Sequence, residues 1–157
     1  MTEPPRIWVD ADAAPRPVKD LLYRAAERRG VEVVLVAGQR QHVPSQARVA
    51  VILGPEGMDA ADDFIAEHCL EGELVVTADL PLAARAVERG AQVLRPRGGM
   101  LDADSVGEAL AVRDLSSELR EAGVMTGGPP AYDAVARQAF ADDLDRWITR
   151  RMARRPG

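Results

Sequence analysis

Residues 31–37 read Val-Glu-Val-Val-Leu-Val-Ala. Apart from Glu32 every position is apolar, and most are β-branched. A strand with one face in water alternates polar and apolar residues. This stretch does not, so a layer of protein is expected on both of its faces. Strands of that kind belong to parallel sheets flanked by helices.

The flanking sequence supports the same reading. On the N-terminal side, Ile7-Trp8-Val9 is a short apolar run ending at Asp10. Residues 17–29 then read as a helix, with Val18, Leu21, Leu22 and Ala25 on one face and Gly30 closing it. On the C-terminal side, residues 49–53 are a third strand. Residues 59–70 are a helix carrying Ala61, Phe64, Ile65 and His68 along one side. Residues 74–77 are a fourth strand that runs into Asp79. Residues 81–89 form a short helix stopped at Gly90, and residues 91–94 a fifth strand ending at Pro96. Strand–helix alternation with short connections predicts an α/β fold of three layers, α/β/α, around a parallel sheet of about five strands.

Beyond residue 96 the rhythm changes. Residues 102–121 read as helical, with a break expected near Val112-Arg113-Asp114. Residues 123–130 are a loop rich in Gly and Pro. Residues 131–152 are a final helix with Val135, Phe140, Leu144, Trp147 and Ile148 as its apolar stripe. The expected organisation is one domain over 1–157: sheet and helices over 6–96, a helical part over 97–150 and a basic tail over 151–157.

The chain has 157 residues, a formal net charge of −5, 46% hydrophobic and 29% charged residues. That is the balance of a globular domain able to bury one core. Its single cysteine, Cys69, excludes a disulfide framework. No apolar run is long enough to span a membrane, and the first residues lack the pattern of a secretory signal. A reducing cytoplasm is the expected setting. Lys19 is the only lysine, so 19 of the 20 basic residues are arginine, a side chain whose planar fork suits phosphate. The acidic total argues against a protein that coats nucleic acid in bulk, while leaving a local groove open.

In parallel α/β folds, ligands bind beyond the carboxyl ends of the strands. Those ends are acidic here. The first strand ends in Asp10-Ala11-Asp12. The third leads to Asp59, Asp62 and Asp63 at a helix start, and the fourth runs into Asp79. Each acid also has an ordinary explanation, as a turn former or a helix N-cap. Together they place carboxylates from three segments at one sheet edge. Crowded carboxylates repel and take up protons unless a cation compensates. Hard oxygen ligands suit Mg²⁺ or Mn²⁺. The expected ligands are Asp10, Asp12, Asp59, Asp62 and Asp79, with Asp10, Asp59, Asp62 and Asp79 as catalytic candidates and Asp62 ranked above Asp63.

Other polar groups are candidates for gripping substrate. Thr126-Gly127-Gly128 is a segment whose amides form either an anion nest or a tight turn. Arg97, Arg113 and Arg120 are available for phosphate contacts or for salt bridges. Lys19, on the helix after Asp12, is placed to reach the acidic edge. His42 sits in the loop after the second strand. His68 and Cys69 are neighbours whose side chains diverge on a helix, which argues against a joint metal site. Trp8 and Trp147 read as packing residues, and an aromatic content of 4% argues against a base-stacking platform.

Several stretches resemble the YaiI/YqxD family, also called domain of unknown function 188. They are Ile7-Trp8-Val9-Asp10-Ala11-Asp12-Ala13-Ala14-Pro15, Gly57-Met58-Asp59-Ala60-Ala61-Asp62, Val75-Val76-Thr77-Ala78-Asp79-Leu80-Pro81-Leu82-Ala83, Pro96-Arg97-Gly98 and Thr126-Gly127-Gly128-Pro129. The resemblance extends over nearly the whole chain. It implies a fold similar to PIN-like nucleases, whose strand-end acids hold divalent metal for RNA cleavage. Carried over by position, the first acid is Asp10 with Asp12 beside it, the middle acids are Asp59 and Asp62, and the late acid is Asp79. The chain departs from the family at Ala14, where many members have cysteine, at Gly38, where many have asparagine, and at Ala136, where an acid is common.

The expected function is a divalent-metal-dependent phosphodiesterase acting on RNA or a related nucleic acid, without a membrane partner. The alternative is a non-catalytic domain that uses the acidic pocket to bind metal, nucleotide or a protein. A phosphatase that opens with Asp-x-Asp matches only Asp10 and Asp12. It would also need a later lysine, and none follows Lys19.

Overall fold

The computed structural model describes residues 4–39, 41, 43, 49–54, 60–123 and 131–153. Its central strand is β1 (Arg6–Asp10), whose Ile7, Trp8 and Val9 are all buried. Helix α1 (Arg16–Arg29) follows and ends at Gly30 in the left-handed conformation. The chain returns as β2 (Glu32–Ala37) and then β3 (Val49–Leu53). Helix α2 (Ala60–His68), β4 (Leu74–Val76), α3 (Leu80–Glu88) and β5 (Gln92–Leu94) continue the alternation. A short β6 (Met100–Leu101) leads to two long helices, α4 (Ala103–Glu121) and α5 (Ala134–Ala153).

The strand order is β3-β2-β1-β4-β5-β6. The pairings from β3 through β5 are parallel, and β6 alone runs antiparallel, against β5. The chain builds outward from β1 through β2 to β3, then crosses back to lay β4 on the other side of β1. The strand order therefore reverses between β2 and β4. Connections leave β1 and β4 in divergent directions there and open a crevice at the carboxyl ends.

Side-chain alternation divides the core into two layers. Ile7, Val9, Val33, Leu35, Val76 and Leu94 face Val18 and Leu22 of α1 and Phe140, Leu144 and Trp147 of α5. Trp8, Val34, Val36, Val75 and Val93 face Ile65 of α2, Leu82 and Ala86 of α3 and Val106 of α4. These layers make the expected α/β/α sandwich. Each fully buried aliphatic side chain contributes about 1.5–3 kcal/mol relative to exposure. Both tryptophans pack as expected and satisfy their indole N–H groups. Trp8 Nε1 donates to Glu73 Oε1 at 2.9 Å, and Trp147 Nε1 donates to Gln92 Oε1 at 3.0 Å.

The structure adds one short strand to the expected sheet and corrects the sequence reading in two places. The sheet has six strands among the described residues, because Met100–Leu101 folds back on β5. Two residues are too few to show a period. The break expected near Val112-Arg113-Asp114 is absent, and α4 runs through it unbroken. Nothing there is Gly or Pro, so the backbone has no reason to leave the helix. Val135 is 77% exposed and lies off the apolar stripe of α5. The helix starts at Ala134, after Asp133, whose Oδ1 accepts the Ala136 amide at 2.9 Å. That start rotates Ala136 inward instead. In the basic tail, Arg151 is docked, with Nε donating to the Gly72 carbonyl at 3.1 Å.

The β5–β6 turn is pinned to α5. The Gly98 amide donates to the Arg95 carbonyl and the Gly99 amide to Asp143 Oδ2 at 2.7 Å. Gly98 holds φ at +89°, and a Cβ there would come within 2.7 Å of the Ala139 Cβ. Gly107, in contrast, is an exposed α4 residue with open space around its missing Cβ. Gly98→Ala is expected to lose at least about 2 kcal/mol. Gly107→Ala is expected to gain about 0.5–1 kcal/mol. Thermal melts of the two variants check both signs.

Candidate functional site at the carboxyl edge of the sheet

The crevice is built from the ends of β1 and β4. Asp10 is the last residue of β1, half-buried and level with Val36 of β2. The ladder continues one step beyond it, with the Ala11 amide donating to the Val36 carbonyl at 3.0 Å. Across the crevice, buried Thr77 offers its Oγ1 to the Asp79 amide at 3.0 Å. Asp79 in turn N-caps α3, accepting the Leu82 amide on Oδ1 at 2.9 Å. The ordinary role foreseen for Asp79 is thus real, and it also fixes where the carboxylate stands.

Asp10 is under electrostatic pressure. Burial is the largest influence raising its pKa above the usual 3.8, followed by the charges of Asp12 and Asp79. A side-chain hydrogen bond with Asp62 works in the opposite direction. Three sequence segments, those of Asp10 and Asp12, of Asp62 and of Asp79, therefore meet at one point of the sheet. Asp63 Oδ1 is paired instead with Arg85 Nη1 at 2.7 Å. Asp59 lies outside the described residues, as do His42 and Thr126-Gly127-Gly128.

Asp12 is held by the segment after β2. Its Oδ2 accepts the Gly38 amide at 2.6 Å, and its Oδ1 accepts Gln41 Nε2 at 3.1 Å. Gln41 Oε1 accepts Lys19 Nζ at 2.7 Å. Lys19 thus reaches the acidic edge through Gln41. Residue 38 acts through its backbone, which glycine supplies as well as any other residue.

All the donors here are carboxylate oxygens, the chemistry that suits a hard cation. Among the described residues, however, no three His, Cys, Asp or Glu side chains are grouped as a ready ion-binding cluster. Asp12 and Asp79 each commit an oxygen to a backbone amide, while Asp10 and Asp62 engage one another.

Among the described residues, two clefts are lined in part by sequence neighbours of the acids, Ala13, Ala78 and Leu80. The smaller, about 270 Å³, is lined by Ala13, Pro15, Ala78, Pro96, Tyr132 and the arginines Arg95 and Arg97, with Gly98 at its rim. Arg97 stands over the Tyr132 ring, 5.8 Å from its centroid, and the Tyr132 hydroxyl donates to the Pro96 carbonyl at 2.9 Å. The larger, about 460 Å³, lies on the α3–α4 side and includes Leu80, Arg95, Glu108 and Arg113. Arg113 lines it while pairing with Asp114 at 3.5 Å. Arg120 is exposed near the end of α4. His68 stacks on Phe64 with centroids 4.0 Å apart, while Cys69 is buried.

Arg95 is the residue that sequence reading missed. It belongs to both clefts and directly follows the end of β5. The strand-end rule that singled out the acids also picks out this arginine.

Because folding raises the pKa of Asp10, the folded chain holds that proton more tightly than the unfolded one. The associated stability is fully present below pH 3.8 and is lost as pH rises through the folded value. Asp10→Asn is therefore expected to melt a few degrees above wild type at neutral pH, and the gain should fade in acid. Asp12→Asn is expected to show no such gain, because its carboxylate accepts two hydrogen bonds in the fold. Melts across a pH series check the contrast.

Residues 8–150 match the model of a family described as "Uncharacterized BCR, YaiI/YqxD family". A UPF0178 protein of Xanthomonas campestris pv. campestris (strain 8004) is 54% identical over 149 residues, covering 95% of this chain and 93% of that protein. UPF0178 proteins of Pseudomonas fluorescens (strain Pf0-1) and Shewanella sp. (strain MR-7) are 50% and 47% identical, each over 92% of this chain and 96% and 95% of their own lengths. No solved structure matches the chain. With a family model spanning its fold and its acidic edge, and near-full-length relatives at about half identity, the chain belongs to the YaiI/YqxD family.

Proposed function

We propose that this chain is a divalent-metal-dependent phosphodiesterase acting on RNA or a related nucleic acid. The observation that carries the reading is the state of Asp10. It sits half-buried where the strand order reverses, its carboxyl pushed up by burial and by the charges of Asp12 and Asp79. A fold does not keep like charges together at its ligand-binding edge for stability's sake, and a bound cation would reverse the penalty.

Asp10, Asp62 and Asp79, with Asp59 from the start of the α2 segment, are the proposed ligands of Mg²⁺ or Mn²⁺, and Asp12 is the neighbouring acid. Such an ion, when bound, supplies an activated water and offsets charge on a phosphodiester. The chain's own part is positional. Thr77 and the first turn of α3 orient Asp79, while Gly38 and Gln41 orient Asp12 and link it to Lys19. The proposed setting is a reducing cytoplasm, consistent with a free, buried Cys69. Among the described residues, no helix is long and apolar enough to cross a membrane.

The second reading, a non-catalytic binding domain, draws on a specific observation. Asp12 and Asp79 already use an oxygen each within the fold, and no ready three-ligand cluster stands among the described residues. Incubation of end-labelled RNA and DNA oligonucleotides with Mn²⁺ separates the two. Cleavage is expected in wild type, abolished by chelation and lowered by about 100-fold or more in Asp10→Asn and Asp79→Asn. Asparagine keeps the N-cap of α3, so the second variant retains its fold. Undiminished cleavage by Asp10→Asn would contradict the catalytic reading. Binding without turnover would favour the second.

A further inference from the structure

Arg95 is placed differently from the arginines paired elsewhere in the fold. Arg6, Arg29, Arg85 and Arg146 all make salt bridges with acids. Arg95 makes none among the described residues, and its Nε is buried there without a hydrogen-bond partner. A buried donor left unpaired is costly, and the loss is greater for a charged group. Its guanidinium lies against Gly99, where a Cβ would come within 3.4 Å of Nη2. The turn holding it is anchored twice to α5, through Asp143 and through the contact of Gly98 with Ala139. The fork is therefore fixed from behind and open to two clefts in front.

The two clefts differ in charge. The larger includes Glu108, which opposes an anion beside Arg95. The smaller has no acid among its described lining residues. It offers Arg95 and Arg97, the latter over the Tyr132 ring, with apolar or aromatic walls from Ala13, Pro15, Pro96 and Tyr132. Its volume of about 270 Å³ lies near the small end of ligand sites, so it fits one monomer unit and not a duplex. A planar apolar body with an anionic head matches that lining. Ala13 and Ala78 of its wall adjoin Asp12 and Asp79, so a unit seated here continues directly into the acidic crevice.

We propose that this cleft is a nucleotide subsite: Arg95, assisted by Arg97, takes the phosphate of one nucleotide unit of a single strand, and the base packs against Tyr132 and Pro15. The proposal deepens the phosphodiesterase reading by naming the unit bound beside the acids. Its test runs without metal, so the two can fail separately.

The test is a titration of adenosine 5′-monophosphate into the full chain in the presence of a chelator, followed by ¹H–¹⁵N correlation spectra that include the arginine Nε–H signals. The Arg95 Nε–H and the Gly98 amide are expected to shift together and saturate. Inorganic phosphate is expected to move Arg95 with little effect on Tyr132, and adenosine to leave Arg95 nearly still. Arg95→Gln should weaken the monophosphate by about tenfold or more. Arg95→Lys should recover only part of that, because lysine keeps the charge and loses the fork. Arg28→Gln, in the last turn of α1 at the opposite edge of the sheet, should bind like wild type. An Arg95 signal unmoved at saturation, or unchanged affinity in a folded Arg95→Gln protein, overturns the proposal. Monophosphate binding in a protein that takes up no Mn²⁺ upholds this subsite and removes the metal reading. Mn²⁺ uptake without an Arg95 response does the reverse.

Discussion

The pairing of β1 between β2 and β4 is the constraint on which the rest of the molecule depends. Both edges of β1 are hydrogen-bonded, and both faces of Ile7, Trp8 and Val9 are covered. Among the described residues it reaches water at its two ends, and the carboxyl end opens on the crevice. Asp10 stands at that end because it is the first polar residue after three that must be buried. The parallel register with β4, Val9 opposite Val76, sets the end of β4 beside Asp10, and Asp79 follows three residues later at the same crevice. The clustering of acids thus follows from strand pairing, and helix α2 adds Asp62 from the layer on one face.

The same arrangement sets stability against charge. The apolar layers on both faces keep the sheet together, while the edge concentrates carboxylates whose charges add to burial in raising the proton affinity of Asp10. Backbone amides of Gly38 and Leu82 relieve Asp12 and Asp79, and Lys19 is drawn in through Gln41. Among the described residues no amide is bonded to the Asp10 carboxyl, and the influence that lowers its pKa is the bond with Asp62. It is therefore the member of the group whose charge a cation would relieve most.

Much of this was legible in the residues. The run of 31–37, apolar at every position but Glu32, implied a strand covered on both sides, and the parallel sheet follows from it. The acids at 10, 12, 62 and 79 were legible because strand ends are where such folds place ligands. What escaped has physical reasons. Met100–Leu101 is too short for any period. The continuity of α4 through Val112-Arg113-Asp114 depends on the absence of a breaker, a weak signal. The chain from Asp12 through Gln41 to Lys19 joins residues far apart in sequence, and no local pattern announces it. Arg95 looked like one arginine among 19. Its distinction is a buried, unpaired Nε, which exists only once β5 and β6 have closed around it.

The central claim is that the carboxyl edge of β1 and β4 is a cation site. Calorimetric titration of Mn²⁺ into the purified chain tests it without any assumption about substrate. The account predicts saturable binding that is lost in both Asp10→Asn and Asp79→Asn, two folded variants altered in segments about 70 residues apart along the sequence. Binding that survives both substitutions, or no saturable binding in wild type, would contradict it.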